Sequence, residues 1–278
     1  MATSSQRPVW HRYIIGMAVF LASVVVALGH VWAGALDDIR ARGTLVVGTK
    51  ADYQPFGFRD AAGTIIGFEP DLAAEIAKAL GVSVKFVPVV ATTRISLLNS
   101  GDVDLVIATM NDTPERRQQV DFVEPSYYAS GVNVLAPKSA RLHVWQELHD
   151  KPVCSVEGSF YLAEIKERYG PDLHLYKDTN QVYAAVKSGE CVAAYDDAAL
   201  IGQLQMPEWA DYAMPLRSIL AQPWGMAVKQ GNTELAAFVG ELVRKWHATG
   251  HIQALEKTWH IPPSAFAEEM RRRYADAD

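Results

Sequence analysis

A short segment near the middle of the chain places an arginine at a helix start, which is the chemistry of an anion-binding site. Thr113 is a good N-cap and Pro114 a good first helical residue, so the sequence predicts a helix that begins there. The unpaired backbone N–H groups of its first turn would face Ala108 and Thr109, where the preceding apolar strand ends. Arg116 can reach the same point, and its planar, two-pronged guanidinium suits a carboxylate. The sequence therefore predicts a carboxylate site, with a solvated arginine on a surface helix as the alternative.

Two adjacent acids, Asp196 and Asp197, end the apolar strand that is predicted at residues 191–195. A carboxylate at the tip of a strand could bind an ammonium group. It could instead cap the helix that is predicted at residues 198–204, and Asp197 has the right position for that role. Both interpretations remain open at this point.

The sequence lacks the motifs of the common enzyme classes. It contains no G-x-S-x-G, no H-E-x-x-H, no Walker loop and no dinucleotide-binding G-x-G-x-x-G. His247 and His251 are four residues apart on a predicted helix, but no acid or cysteine has the spacing that would complete a metal site. The sequence therefore predicts no metal, no cofactor and no catalytic residue, and it favours a binding protein over an enzyme.

Strand and helix patterns alternate along most of the chain, which predicts an α/β fold with mostly parallel sheets flanked by helices. Two long extended segments, residues 127–137 and 220–228, are predicted to cross between two lobes. Residues 36–129 and 224–278 would form lobe 1, and residues 130–223 would form lobe 2. Polar residues at the carboxyl ends of parallel strands would then face a cleft between the lobes. The predicted strands include residues 43–48, 82–90, 103–108 and 191–195, and the predicted helices include residues 36–42, 67–81, 92–100, 142–149, 161–169, 179–187, 198–204, 233–249 and 251–259.

The N-terminus has the three-part pattern of a secretory signal. Arg7 and Arg12 precede the apolar run 14–28, and small residues follow, so residues 1–35 are predicted to be a signal peptide cleaved after Ala33 or Ala35. The alternative is an uncleaved membrane anchor. The pattern predicts a periplasmic protein.

Composition and charge point to a folded protein that does not bind nucleic acid. The chain has 278 residues, of which 49% are hydrophobic and 21% charged, as is ordinary for a globular protein. The formal net charge of −6 argues against nucleic acid as a partner.

Cys154 and Cys191 are the only cysteines in the sequence. Each lies in or at the start of a short apolar strand, and an exported protein meets oxidising conditions. The sequence predicts a disulfide between them, with two buried free thiols as the alternative.

Two segments that flank the predicted anion site carry a resemblance to a known family. Residues 104–108, Asp-Leu-Val-Ile-Ala, and residues 120–128, Val-Asp-Phe-Val-Glu-Pro-Ser-Tyr-Tyr, together with Thr-Pro-Glu-Arg at 113–116, resemble the "D-(apolar)3 … T-x-E-R … F-(T/S)-x-P-Y-Y" block of the polar amino-acid-binding proteins of bacterial ABC transporters, extracellular solute-binding family 3. The resemblance implies a two-lobed periplasmic-binding-protein fold of type II, the Venus-flytrap form. It also implies a monomer that captures an amino acid and delivers it to an ABC permease.

The resemblance assigns roles to individual residues. Arg116 would hold the α-carboxylate of the ligand, and the turn Gly158-Ser159-Phe160 of lobe 2 would add donors to it. Phe160 stands where threonine is usual, so its backbone N–H would have to serve. Tyr53, in an opening similar to "G-T-x-x-x-Y-x-P-F-x-F", would line the ligand, unless it is only a packing aromatic. Asp197 is favoured over Asp196 as the partner of the ligand ammonium.

Two further cations resemble those of the acidic amino-acid-binding members. Lys50 and Arg94, the latter in a "T-R-x-x-L-L" segment, would hold a second carboxylate, which implies glutamate or aspartate as ligand. Asn111 is a further expected ligand contact, although it replaces a serine or threonine, and Ala108 omits a hydroxyl, so the family's hydrogen bonds at these two points are not implied. The remaining expected ligand contacts are Thr109 and the first-turn amides near Thr113.

Two other functions fit the same frame. One is a periplasmic dehydratase of aromatic amino-acid synthesis that resembles these binding proteins, in which Lys50 would donate a proton. The other is a ligand sensor that docks on a receptor.

Overall fold

Two sheets with flanking helices build the part of the chain that the computed structural model describes, residues 34–275. The sheet of lobe 1 has the strand order β5-β1-β6-β14-β7, and the sheet of lobe 2 the order β10-β9-β11-β8-β12, with β13 paired to β8. A small sheet, β2-β3-β4, belongs to lobe 1. The strands are β1 Thr44–Thr49, β2 Asp52–Tyr53, β3 Gly57–Arg59, β4 Ile65–Ile66, β5 Ser83–Pro88, β6 Leu105–Val106, β7 Asp121–Phe122, β8 Tyr128–Pro137, β9 Pro152–Val156, β10 Asp172–Tyr176, β11 Val192–Asp196, β12 Tyr212–Ala213, β13 Ile219–Trp224 and β14 Ala227–Val228.

Helices cover the faces of both sheets. They are α1 Ala35–Arg42, α2 Phe68–Leu80, α3 Arg94–Ser100, α4 Pro114–Arg117, α5 Leu162–Tyr169, α6 Thr179–Lys187, α7 Asp197–Leu204, α8 Thr233–Thr249, α9 His251–Thr258 and α10 Ala265–Tyr274. Helix α2 shows why they pack: Leu72 and Ile76 lie one turn apart on one face and are fully buried. Gly81 ends that helix in the left-handed conformation, with φ 74°, which favours glycine.

The central pairings of both sheets are parallel. Strand β1 pairs in parallel with β5 and β6, and β9 pairs in parallel with β10 and β11. The carboxyl ends of these strands therefore point the same way within each lobe, and the residues that follow β1, β6 and β11 gather at the edge that faces the other lobe.

Strands β8 and β13 are the two crossings between the lobes. They pair in antiparallel register, with Trp224 opposite Tyr128. Both side chains are buried, and the ring of Phe56 packs against each of them. The two predicted extended segments are thus present, although the second one divides into β13 and β14. The exact lobe boundaries at residues 129/130 and 223/224 remain a prediction.

Several predicted elements are shorter than expected. The helix predicted at residues 142–149 is only a 3₁₀ turn, Trp145–Leu148. The strand predicted at residues 103–108 is reduced to Leu105–Val106, and the helix after Thr113 is a single turn, Pro114–Arg117. Beyond the short strand, the apolar residues Ile107 and Ala108 continue, because the chain is still buried where it leaves the sheet.

The predicted disulfide between Cys154 and Cys191 is confirmed, with 5.7 Å between the two Cα atoms. It joins β9 to the residue that precedes β11, its neighbour in the sheet. The predicted signal peptide falls almost entirely on residues 1–33, outside the described part of the chain, so the signal and its cleavage stay predictions. Between residues 34 and 275, no helix is long and apolar enough to cross a membrane.

Candidate ligand-binding site

A pocket lies between the lobes, at the carboxyl ends of their central strands. Its walls lie close together and leave about 20 Å³ of space between them, which is room for little more than one water molecule, so the walls must move apart to admit a ligand. Charged, polar and aromatic side chains of both lobes line it: Lys50, Tyr53, Ala91, Arg94, Thr109 and Asn111 from lobe 1, and Val156, Ser159, Tyr161, Tyr195 and Asp196 from lobe 2.

The acid in the pocket is Asp196, the last residue of β11. Its side chain is 7% exposed, and its Oδ2 accepts a hydrogen bond of 2.8 Å from the Tyr53 hydroxyl of the other lobe. Its Oδ1 makes no hydrogen bond within the described residues. Burial raises the pKa of Asp196 to about 6, against the opposing Tyr53 hydrogen bond. One carboxylate oxygen is therefore available to a ligand donor.

Asp197, which the sequence favoured, points elsewhere. It is absent from the pocket lining, and its Oδ2 lies so close to Gly131 that a Cβ added there would be 2.5 Å away. Nor is it the N-cap of the next helix, because α7 begins at Asp197 itself and Asp196 occupies the N-cap position. We therefore replace Asp197 by Asp196 as the candidate partner of a ligand ammonium. The physical reason is that the chain passes from strand to helix between them: Asp196 ends β11 and Asp197 begins α7, so their side chains leave the backbone in different directions.

Arg94 is a deeply buried cation of the pocket, at 4% exposure. Its Nη1 donates to the carbonyl oxygen of Ala108 at 2.6 Å, and its Nε makes no hydrogen bond within the described residues. Burial first, and the neighbouring Arg116 second, lower the pKa of Arg94 to about 9, against the opposing charges of Asp196 and Glu69. The guanidinium thus stays charged at neutral pH and retains an unused donor.

Arg116 bridges the lobes near the pocket without lining it. Its Nη1 donates to the Asn111 carbonyl at 2.8 Å, and its Nη2 donates to the Gly158 carbonyl of lobe 2 at 3.2 Å. Burial lowers the pKa of Arg116, opposed by the charge of Asp196. Thr113 caps the short helix as predicted, because its Oγ1 accepts from the Arg116 N–H at 3.4 Å. Thr113 itself lies outside the pocket lining.

Lys50 is already ion-paired. Its Nζ lies 2.8 Å from Asp52 Oδ1, and its side chain is 3% exposed. The other oxygen of Asp52 accepts a 2.8 Å hydrogen bond from the backbone N–H of Thr179, the first residue of α6 in lobe 2. Lys50, Asp52 and Thr179 therefore form a chain of contacts from the pocket to the opposite lobe.

Thr109 and Asn111 present polar groups to the pocket from the end of β6. Thr109 has a positive φ of 46°, which is uncommon outside glycine, and its backbone N–H donates to Glu69 Oε1 at 2.6 Å. The Nδ2 of Asn111 is buried and makes no hydrogen bond within the described residues. An unpaired buried amide is costly, so a ligand acceptor at this point would be stabilised.

The glycine turn of lobe 2 is only partly in the pocket. Ser159 lines it, while Gly158 packs so closely on lobe 1 that an added Cβ would lie 3.1 Å from the Thr92 methyl group. The side chain of Phe160 packs on the apolar cluster of lobe 2 and does not line the pocket.

Sequence reasoning missed three residues at or behind this site. Tyr161 and Tyr195 line the pocket, and Glu69 accepts hydrogen bonds directly behind it. The two tyrosines gave no signal, because each lies in an apolar run. Glu69 could have been found from the sequence, because it is an acid near the apolar face of an amphipathic helix, where an unpaired carboxylate would be costly.

A group of three potential metal ligands lies away from this pocket, in lobe 2. Cys154, His174 and Glu190 place ligand atoms within 4.8 Å of one another. The sulfur of Cys154 is bonded to Cys191, however, so it does not offer a thiolate.

Comparison with known proteins identifies the family. The model of the bacterial extracellular solute-binding proteins, family 3, matches residues 45–262, which is most of the chain. The chain belongs to this family. The two-lobed fold is the type II periplasmic-binding-protein fold, as predicted.

Relatives in the family bind different amino acids. The ABC transporter glutamine-binding protein GlnH of Bacillus subtilis is 32% identical over 232 residues, which cover 81% of this chain and 84% of the relative. The L-cystine-binding protein TcyJ of Escherichia coli K12 is 28% identical over 246 residues, covering 87% and 92%. The crystal structure of the ancestral amino acid-binding protein AncCDT-1, a precursor of cyclohexadienyl dehydratase, is similar with a TM-score of 0.74 and 30% identity, covering 82% of this chain and 99% of that one.

Proposed function

We propose that this family member captures an amino acid with an acidic side chain, glutamate or aspartate, between its lobes and delivers it to an ABC permease. The observation that carries the proposal is the pairing of opposite charges across the pocket: Asp196 comes from lobe 2, and Lys50 and Arg94 come from lobe 1. A zwitterion can satisfy both sides only when the lobes are closed on it.

The ligand ammonium would donate to the free Oδ1 of Asp196. The α-carboxylate would bind Arg116, which must exchange its bond to the Gly158 carbonyl for the ligand, and the first-turn amides near Thr113. Tyr53 would pack on the aliphatic part, since its ring is buried beside Asp196. Each hydrogen bond to a charged group contributes about 1.5–3 kcal/mol, so a few of them are enough for tight binding.

Charge balance supports an acidic ligand. Lys50, Arg94 and Arg116 bring three positive charges, and Asp52 and Asp196 bring two negative ones. Because Asp52 already neutralises Lys50, a second carboxylate from the ligand would be attracted to Lys50 less strongly. We therefore expect a moderate preference for glutamate over glutamine, roughly tenfold in Kd, or about 1.4 kcal/mol.

Partners and location follow from the proposed role. The mature chain, after cleavage of residues 1–35, would act as a monomer in the periplasm and dock on the transmembrane subunits of its permease. Lobe 1 would comprise residues 36–129 and 224–278, and lobe 2 residues 130–223.

A thermal-shift screen of the purified mature chain against the twenty amino acids tests the proposal. A ligand at a thousandfold excess over Kd stabilises the folded state by about 4 kcal/mol, or roughly 10 °C in melting temperature for a chain of this size. We expect glutamate or aspartate to give the largest rise. If no amino acid raises the melting temperature, the transport role is wrong; if arginine or glutamine gives the largest rise, only the acidic preference is wrong.

The structural similarity to a dehydratase precursor favours one alternative, an enzyme on the same fold. Lys50 would be its proton donor, and its buried ion pair with Asp52 places a charged N–H group in the pocket. Incubation of the purified chain with prephenate or arogenate, followed by detection of the dehydrated product, separates the two functions. Turnover would establish the enzyme, and unchanged substrate would exclude it.

A further inference from the structure

A buried carboxyl group lies directly behind the pocket wall. Glu69, in the first turn of α2, is fully buried. Its Oε1 accepts hydrogen bonds from the Tyr127 hydroxyl and from the Thr109 N–H, the latter at 2.6 Å. Its Oε2 makes no hydrogen bond within the described residues. Because Thr109 lines the pocket, a single residue separates this carboxyl group from a ligand.

Four groups from separate parts of the chain face Glu69. Thr109 and Tyr127 donate hydrogen bonds to it, and Arg94 and Lys50 act on it through their charges. Burial raises the pKa of Glu69 to about 7, against the lowering by these four groups. The carboxyl group therefore changes its charge close to neutral pH.

We propose that Glu69 is a positioning residue that sets the affinity of the pocket for anionic ligands through its own protonation. The inference rests on the proposed function. An ionised Glu69 competes with a bound carboxylate for the positive charges of Arg94 and Lys50. A protonated Glu69 leaves both cations to the ligand while Thr109 keeps its hydrogen bond. Binding of a ligand with two carboxylates is accordingly coupled to the uptake of a proton by Glu69.

The sign of the pH dependence follows from this coupling. A bound anion favours the protonated form and raises the pKa of Glu69 in the complex above its value in the free protein. Affinity is then highest where Glu69 is protonated in both states, and it decreases as pH rises through the pKa of the free protein. A difference of one pKa unit between complex and free protein corresponds to a tenfold change in affinity.

Calorimetric titration with L-glutamate at pH 6.5 and pH 8.0, in two buffers of different ionisation heat, measures both the affinity and the protons taken up. We expect the native chain to bind several-fold to tenfold more weakly at pH 8.0 and to take up a fraction of a proton near pH 7. Glu69→Gln keeps a hydrogen-bond acceptor but no charge, so its affinity is expected to be nearly independent of pH, without proton uptake.

Glu256 offers a matched control. It is also a buried acid, at 2% exposure, and its Oε1 also accepts from a tyrosine hydroxyl and a backbone N–H, those of Tyr128 and Ser264. It lies outside the pocket lining. Glu256→Gln should therefore lose stability as Glu69→Gln does but retain the pH dependence of the native chain. Equal flattening in both variants would overturn the inference.

Tyr127→Phe provides a second variant in case Glu69→Gln does not fold. It removes one hydrogen bond that lowers the pKa of Glu69, so the midpoint of the pH dependence should move to higher pH. If the native chain binds glutamate with the same affinity at both pH values, or if Tyr127→Phe leaves the midpoint unchanged, the inference is wrong while the proposed function stands. If no amino acid binds at any pH, both are wrong.

Discussion

Asp196 is the residue on which we propose that recognition of a zwitterion depends, because it is the acid that lines the pocket in the described part of the chain. Its free Oδ1 faces no protein donor there, and its Oδ2 is tied to Tyr53. A ligand ammonium at this point would supply the hydrogen bond that Oδ1 lacks without breaking the bond between Oδ2 and Tyr53.

Replacement of this acid should therefore weaken binding strongly. We expect Asp196→Asn to raise the Kd for the native ligand at least about 30-fold, since it removes a hydrogen bond between opposite charges that is worth about 1.5–3 kcal/mol and leaves the ammonium without a counter-charge. Asp197→Asn is the matched control, and it should change the Kd by less than about threefold while lowering the melting temperature. Calorimetric measurement of the Kd for both variants shows which acid binds the ligand ammonium. A larger effect of Asp197→Asn than of Asp196→Asn would restore Asp197 as the ligand partner.

The choice between these two acids shows what the sequence could and could not supply. Six of the residues that it singled out line the pocket: Lys50, Tyr53, Arg94, Thr109, Asn111 and Ser159. At the end of β11 the resemblance favoured Asp197, whereas Asp196 lines the pocket. Residues 191–195 are mostly apolar on both faces of a buried strand. Without alternation between polar and apolar positions, the pattern does not tell which successive residue faces the cleft.

At the scale of elements, helix α6 contributes its first turn to the closed state. The N–H groups at a helix start lack partners within the helix, and here Asp52 of lobe 1 accepts from Thr179 while it holds Lys50. The sequence did predict helix α6, but it did not indicate this contact, because the two partners are 127 positions apart.

Asp52→Asn should weaken closure and change specificity together. The loss of charge removes the ion pair with Lys50 and weakens the bond to Thr179, so we expect roughly tenfold weaker glutamate binding, mainly through faster dissociation. Lys50 is then free for a ligand carboxylate, so the ratio of glutamate to glutamine affinity should rise. Stopped-flow dissociation and calorimetry measure the two effects.

Asp178→Asn is the control for that variant. Asp178 caps the same helix by accepting from the Gln181 N–H at 2.9 Å, entirely within lobe 2. Because asparagine is as good an N-cap as aspartate, its replacement should change stability little and leave both ligand affinities unchanged. A specificity change in Asp178→Asn, or none in Asp52→Asn, would show that the contact between lobes does not control ligand choice.

At the scale of the whole molecule, closure depends on close contacts between the lobes. Gly202 of α7 lies against the Gln54–Pro55 loop of lobe 1, where an added Cβ would come within 2.4 Å of Pro55 Cδ. Gly240 of α8 is also a helical glycine in a tight position, where an added Cβ would lie 2.5 Å from the Glu124 carbonyl oxygen, but both residues belong to lobe 1.

The two glycines should respond in opposite ways to alanine. Alanine at position 202 favours the helix by about 0.5–1 kcal/mol, so we expect Gly202→Ala to have an unchanged or higher melting temperature without ligand. Its added methyl group would hold the lobes apart, so we expect at least about tenfold weaker ligand binding. Gly240→Ala should lower the melting temperature and leave the affinity unchanged. Small-angle scattering with saturating ligand should show a larger radius for Gly202→Ala, and a radius equal to that of the native chain would contradict the role of this contact.

The central proposal is that the pocket recognises an ammonium group and two carboxylates at once. Glutarate has both carboxylates of glutamate and lacks only the ammonium, so calorimetric titration of the mature chain with L-glutamate and with glutarate tests the claim directly. We predict a saturable one-to-one complex with glutamate and at least about 100-fold weaker binding of glutarate, because the buried carboxylate of Asp196 would be left unpaired. Equal affinity for both compounds, or no binding of glutamate, would contradict the account.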